Sequence, residues 1–206
     1  MIEKGFIKVI DNFLSKVTFK RIKDQILAYE FNWGYSEMDY NPDLERVTGK
    51  PVPENVGVPM YVHSLYGSGQ VLSPFFPVFL PIYDRLKEEF GDDYGGLIKS
   101  KINAYANHGK RRNLAKHNDL YFQPDLLRGE THIKEEDKLY VTSVLQFTTD
   151  NGATCIGDKE FSNKENRIVM FDGALEHWAY TQTDIERRII MNINFRQGRQ
   201  IIQYPW

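Results

Sequence analysis

The sequence predicts an α+β fold in which helices precede a strand-rich body that closes into a barrel or sandwich. Three observations carry that reading. Apolar residues recur at helical spacing in two stretches of the first half. From about Leu97 onward the chain instead breaks into short runs rich in Ile, Val, Tyr and Phe, separated by Gly, Asn and Asp. Finally, 206 residues suit one hydrophobic core, and no repeat, Ser/Gly tract or low-complexity block divides them. The expected organisation is a single domain over residues 1–206, with a helical part to about residue 95 and a barrel core from about residue 96.

Taken in order, "FIKVI" (Phe6 to Ile10) reads as a short strand. Phe19, Ile22, Ile26 and Leu27 then follow helical spacing, with Ser15 or Thr18 as N-cap, which predicts a helix from about Lys16 to Tyr29. Residues 32–59 mix Gly, Pro, Asn and Asp with isolated aromatics and read as a long irregular segment, of the kind that is often functional. "MYVHSLY" (Met60 to Tyr66) is a strand. In "FLPIYDRLKEEFG", Phe79, Ile82, Leu86 and Phe90 share a helical face and Gly91 ends it, while Pro77 and Pro81 confine the regular part to the residues after them. The strand candidates that follow are "IKSKINAYA", "LYVTSVLQFTT", "ATCI", "NRIVMFD", "HWAYTQT" and "RRIIMNINF". "TTDNGAT" (Thr148 to Thr154) reads as a turn, because Asn151-Gly152 tolerates positive φ.

A net charge of -2 excludes a global basic field of the sort that drives non-specific nucleic-acid or membrane association. The one dense basic cluster, Lys110, Arg111, Arg112 and Lys116, reads as a solvated loop, with a funnel for an anionic ligand as the alternative. Cys155 stands alone, which excludes an internal disulfide and any CxxC motif; it reads as a small buried apolar residue in a reducing compartment. No apolar run is long enough for a signal peptide or a membrane span, so the expectation is a soluble, cytoplasmic protein.

Chemistry enters at "NLAKHNDLYF", where His117 and Asp119 stand two residues apart. On a strand such residues point the same way, since side chains alternate with period two. A reactive metal held by two imidazoles and one carboxylate needs its third ligand from a neighbouring strand. His177 is the candidate, because it follows the apolar strand "NRIVMF" and an Asp172-Gly173 turn and opens a further strand-like run. Arg187 and Arg188 come ten and eleven residues later, and a guanidinium there can clamp a carboxylate. Arg188 is preferred: it shares a face with Asn192 and Asn194, whereas Arg187 shares one with Ile189, Met191, Ile193 and Phe195.

Each feature alone has a plainer reading, a hydrogen-bonded His–Asp pair or a half-buried histidine, and only their combination points to a metal. His63, His108 and His132 read as surface or loop residues, with His108 near the pocket rim. "HIKEEDK" (His132 to Lys138) reads as a solvated turn or a lid. Trp178 is expected to turn away from the site into the core, Gln146 to need a buried partner, and Asn113 to Lys116 to form the mouth.

H-x-D, a distal histidine and a following basic residue, in the setting "INAYANHG…KHND", "TSVLQFTTDNGAT", "NRIVMFDGALEHWAY" and "RRIIMNINF", resemble the 2-oxoglutarate- and Fe(II)-dependent dioxygenases. The resemblance is to their prolyl 4-hydroxylase-like branch, in particular small oxygenases of phage and marine microbial genomes. It runs from about Lys101 to Phe195 and is looser at the N-terminus. It implies a double-stranded β-helix, a jelly-roll or cupin-like barrel with the N-terminal helices packed on one sheet.

The resemblance further implies Fe(II) on His117, Asp119 and His177. The distal carboxylate of 2-oxoglutarate falls to Arg188, with Arg187 as the alternative, and Tyr105, Asn103 and Asn192 line the pocket. Oxygen is the second cosubstrate and ascorbate an accessory cofactor. The reaction implied is decarboxylation of 2-oxoglutarate to succinate and CO2, coupled to hydroxylation of a peptidyl proline, another protein side chain or a small molecule. Related halogenases lack the carboxylate that Asp119 supplies, so halogenation is not expected. The competing readings are a cupin-like barrel using Zn or Mn on the same ligands, which has no use for the arginine, and a non-catalytic barrel, which has no need of the triad. Neither a nucleic acid nor a membrane is expected as partner, and the sequence carries no signal for the oligomeric state.

Overall fold

The computed structural model describes residues 3–38, 58–119 and 140–198. In chain order the elements are β1 (Ile7–Ile10), α1 (Lys16–Leu27), β2 (Gly34–Met38), β3 (Val58–Gly67), β4 (Gln70–Val71) and α2 (Leu80–Phe90). They continue with β5 (Tyr94–Ala106), β6 (Tyr140–Gln146), β7 (Asp150–Ile156), β8 (Lys159–Asn163), β9 (Ile168–Asp172), β10 (His177–Tyr180) and β11 (Arg187–Gln197). One sheet has the order β1-β9-β6-β11-β5-β3-β2 with β4 paired to β3; a smaller one has the order β10-β7-β8.

Helix α1 begins where Ser15 caps it, its hydroxyl accepting from the Thr18 amide at 3.2 Å. It buries Phe19, Ile22 and Ile26 along one stripe. Burial of side chains this size stabilises by about 1.5–3 kcal/mol each. Helix α2 starts with Pro81 in its first turn, where a missing N–H costs nothing, and stops at Gly91, whose φ of 52° is open to glycine at little strain. Both helices lie on one face of the large sheet over Ile102, Ala104, Val141, Leu145, Met170, Ile189, Met191, Ile193 and Phe195. Its other face carries Val58, Met60, Tyr105, Val144, Val169, Phe171 and Ile190 against Ile156 of the small sheet. Period two thus assigns every second residue of β5, β6, β9 and β11 to the helix side, and the rest to the space between the sheets.

Three expectations are corrected. The start of the segment expected to be irregular is strand β2, which pairs with β3 from Gly34 opposite Val62 to Met38 opposite Val58; the segment's remainder lies outside the described residues. Strand β8 was not expected, although the Gly157-Asp158 pair ahead of it, with Gly157 at φ 58°, is the turn signal that announces it. Asn151-Gly152 is not a turn: it lies inside β7, where the register against β8 shifts between Asp150 and Ala153. The two strands expected in the N-terminal part are present, β1 and β3, and flank the large sheet's central strands.

Candidate metal and anion site

His177 opens β10 just after a turn in which the Asp172 carboxylate accepts from the Ala174 amide at 2.9 Å. His117 reaches it from a segment that is not a regular strand. Residues 113–119 dock on β10 through two isolated antiparallel bridges, Asn113 to Tyr180 and His117 to His177. The second closes with His117 N–H to the His177 carbonyl at 3.0 Å and the reverse bond at 2.8 Å. Asp119 is held alongside by its own amide, which donates to the Gly173 carbonyl at 3.3 Å. One ligand atom from each of His117, Asp119 and His177 falls within 4.8 Å of the others, the only such group among the described residues. The predicted triad therefore converges, by backbone bridges where a strand was expected.

The proton positions follow from the partners. Nδ1 of His117 lies 3.0 Å from the Ala115 carbonyl, and Nδ1 of His177 lies 3.0 Å from that of Leu175. A carbonyl only accepts, so each Nδ1 carries the hydrogen and each Nε2 presents a lone pair. Burial lowers the pKa of His177, outweighing the pull of Asp119 in the opposite direction, and so keeps the ring neutral. Burial alone would raise the Asp119 carboxyl. Hydrogen bonds from Thr142 and Asn194 act the other way, as does any positive charge on the His177 or His117 ring, and the group lies below its ordinary value. Two neutral imidazole nitrogens and one carboxylate form a donor set that fits a divalent first-row metal. His177 is braced by Phe171, whose ring stands edge-on at 4.8 Å.

Arg188 lies on the same side of the large sheet and is 0% exposed, the largest fully buried side chain described. Its Nη1 donates to the Tyr180 carbonyl at 3.0 Å and its Nη2 to Asn163 Oδ1 at 3.2 Å, with Ala153 O at 3.4 Å and Thr154 Oγ1 at 3.5 Å. Nε has no partner. Among the described residues no carboxylate lies within 4 Å of this guanidinium; the nearby Asp150 is engaged by Thr148, the Gly152 amide and Asn163. Burial lowers its pKa, yet a guanidinium stays charged at neutral pH. Asp150 acts on it only at a distance, through Asn163, and a buried cation without a directly paired carboxylate costs several kcal/mol, which an anionic ligand would offset.

Gly152 makes room for this arrangement. A Cβ there would sit 2.8 Å from Asp150 Oδ1, 2.9 Å from the Tyr180 carbonyl and 3.2 Å from Arg188 Cδ. The glycine that looked like a turn signal is a clearance for Asp150, for the Tyr180 carbonyl and, less tightly, for the arginine.

The other predicted residues divide. Tyr105 is buried with the Arg188 guanidinium carbon 5.5 Å from its ring centre, and its hydroxyl accepts from Asn103 Nδ2 at 3.2 Å. Asn103 Oδ1 is buried without a partner. Asn192 is half-buried on the same face, opposite Lys101 and Val144. Gln146 is fully buried; its Oε1 accepts from the Lys164 amide at 2.7 Å while its Nε2 is unpaired. Arg187 is turned to solvent at the start of β11, which removes it from the site, as strand alternation requires once Arg188 points inward.

Trp178 is half-buried where a core position was expected, under Lys116 at 4.3 Å from its ring centre, because β10 is covered by the docked 113–119 segment rather than by a core layer. Arg111 pairs with Glu160 at 2.7 Å and Lys116 with Glu176 at 3.3 Å, so these basic residues fasten the segment instead of forming a free cationic patch. His63 is not a surface residue: it is 5% exposed, between the Asn32 carbonyl at 2.6 Å and Ser73 Oγ at 2.7 Å. His108 is exposed as expected, whereas His132 and the charged run around it lie outside the described residues. Sequence reasoning missed Thr142, Asn163 and Thr154, and left Asn194 without a role. Two polar residues on one face of β6 (Thr142 and Gln146, with Val144 between them), where the other face carries Val141 and Leu145, were the available signal.

No family model matches the chain and no curated protein matches it in sequence. Solved structures do resemble it. A prolyl-4-hydroxylase of Pseudomonas putida matches 95% of this chain and 94% of its own at 11% identity and a TM-score of 0.55. A prolyl hydroxylase of Trichoplax adhaerens, in complex with a hypoxia inducible factor oxygen degradation domain peptide fragment, matches 92% and 83% at 13% identity and a TM-score of 0.59. HygX of Streptomyces hygroscopicus, with nickel and 2-oxoglutarate bound, matches 98% and 85% at 12% identity and a TM-score of 0.55. This chain thus has the α+β double-stranded β-helix fold of the 2-oxoglutarate–Fe(II) oxygenases, prolyl hydroxylases among them.

Proposed function

We propose that this protein is an Fe(II)- and 2-oxoglutarate-dependent oxygenase. The observation that carries the reading is the pairing of a convergent His117–Asp119–His177 triad with a fully buried Arg188, which shares the face of β11 with the Asn194 that bonds Asp119 and whose Nε is unsatisfied among the described residues. A Zn or Mn barrel accounts for the triad but leaves that buried charge without purpose. His117 and His177 would hold the metal through Nε2, each oriented by its Nδ1–H bond, and Asp119 would supply the anionic ligand. When bound, the metal and 2-oxoglutarate supply oxidative decarboxylation to succinate and CO2 coupled to hydroxylation of a C–H bond.

The chain's own work is binding and exclusion. Arg188 would pair with the distal carboxylate of the cosubstrate, charge-assisted in a site walled by Met60, Val144, Phe171 and Ile190, where water competes little. Tyr105 and Asn103 stand beside it as hydroxyl and amide partners. The substrate is a peptidyl proline, another protein side chain or a small molecule. Among the described residues no helix is long and apolar enough to cross a membrane, and the reading places the reaction in the cytoplasm.

The test is anaerobic titration of the Fe(II)-loaded protein with 2-oxoglutarate, which should give a weak visible charge-transfer band. Succinate should then form on admitting oxygen and be lost in Asp119→Ala. A protein that shows neither band nor succinate is not an oxygenase.

A further inference from the structure

Asp119 does not meet the two imidazoles alone. Its Oδ2 accepts from the Thr142 hydroxyl in a short bond and from Asn194 Nδ2 at 2.8 Å, and the same Asn194 nitrogen donates to Thr142 Oγ1 at 3.1 Å. Thr142 and Asn194 come from β6 and β11, directly opposite one another in the register. The large sheet therefore carries a preformed two-residue cradle under a carboxylate that arrives from the opposite side of the cleft.

The hydrogens can be counted. The Asn194 amide has two, one for each oxygen it faces. Thr142, already an acceptor from Asn194, has one hydrogen left, and it goes to Asp119. All three bonds are satisfied at once with Asp119 Oδ2 accepting two of them, which fixes the direction of the carboxyl group.

We propose that Thr142 and Asn194 are positioning residues that hold the Asp119 carboxylate aimed at the His117–His177 pair, so that metal affinity depends on two side chains that do not touch the metal. The proposal rests on the triad being a metal site, and it deepens that reading by naming what fixes its weakest member. The imidazoles are tied by backbone bridges and Nδ1–H bonds, whereas Asp119 is half-exposed at the end of the docked segment and owes its side-chain direction to these two donors.

The test uses Mn(II) as the probe, titrated into the full-length protein without 2-oxoglutarate, with the thermal melting of the metal-free protein measured beside it. Thr142→Val keeps the shape and removes the donor, and it should weaken Mn(II) binding roughly 10- to 100-fold. Thr142→Ser keeps the hydroxyl and should stay within about threefold of wild type, on the same principle. Asn194→Ala should fall in the same direction as Thr142→Val, and it stands in if the valine variant does not fold.

Mn(II) affinity unchanged in a folded Thr142→Val or Asn194→Ala protein overturns the positioning role and leaves the metal site intact. So does a melting temperature that falls without a change in affinity, which marks a merely structural pair. A wild-type protein that binds no Mn(II) overturns the metal reading itself, and this proposal with it.

Discussion

Replacing Arg188 by methionine separates the cost of burying a charge from the use made of it. The guanidinium is 0% exposed and donates to the Tyr180 carbonyl at 3.0 Å and to Asn163 Oδ1 at 3.2 Å. Methionine fills much of the same stem volume and strands those two acceptors, at about 1–3 kcal/mol each. Against that, it relieves a buried cation with no carboxylate within 4 Å among the described residues, a burden of several kcal/mol. The two terms oppose each other and are of similar size, so the unfolding free energy should change by less than about 2 kcal/mol.

Affinity for 2-oxoglutarate has no such compensation. Truncating one partner of a buried charge pair costs about 2–5 kcal/mol, a rise in Kd of roughly 30-fold to several thousand-fold. Calorimetric titration of the Mn(II)-loaded protein reads it directly, with the solvent-facing Arg187→Met as control, expected to stay near wild type. A folded Arg188→Met protein that binds 2-oxoglutarate within about threefold of wild type, each 1.4 kcal/mol being tenfold, would refute the anion-site argument. Loss in Arg187→Met instead would move the site.

Three further outcomes are expected. Gly152→Ala should lower stability by about 1–3 kcal/mol through overpacking and weaken 2-oxoglutarate binding about tenfold or more, since its Cβ would press on both Arg188 and the Tyr180 carbonyl that orients it; calorimetry on the folded variant decides, and an unchanged Kd would show that the clearance is incidental. His63→Ala removes a ring stacked 4.1 Å from that of Phe31 and two hydrogen bonds, so denaturant unfolding should show a loss of about 2–4 kcal/mol with Mn(II) affinity intact. Asp11, bonded to Arg167 at 2.6 Å and Lys164 at 2.8 Å, is held well below the usual carboxylate range first by those hydrogen bonds. A depressed folded pKa means stability that is fully present above the unfolded value of about 3.9 and is lost as pH falls below it. Because the pair is partly exposed, Asp11→Asn should cost about 1 kcal/mol at neutral pH, narrowing toward zero in acid melts; a gap that widens in acid would contradict the assignment.

Legibility in the sequence followed the range of the interaction. Ser15 as cap and the stripe Phe19, Ile22 and Ile26 were readable because caps and periodicity are properties of neighbouring residues. Arg188 over Arg187 was readable for the same reason, since alternation along one strand assigns faces without knowing the partner strand. Gly152 misled, because a glycine that permits positive φ and one that makes room for a distant side chain look alike in sequence; only the approach of Arg188 tells them apart. His63 misled similarly, since its partners Asn32 and Ser73 lie thirty-one and ten residues away.

By itself, then, the sequence determined the α+β succession of helices and strands, the inward face of β11 and the three residue types of the triad, all of which follow from local spacing. Only the tertiary structure decided that His117 would be seated by a bridge to His177 rather than by a regular strand, that Arg188 would be fully buried with no carboxylate within 4 Å among the described residues, and that Thr142 and Asn194 would close on Asp119. Those contacts join residues up to 75 positions apart. Which segments meet at that distance is settled by how whole sheets stack to bury their apolar faces, and no window along the chain contains it.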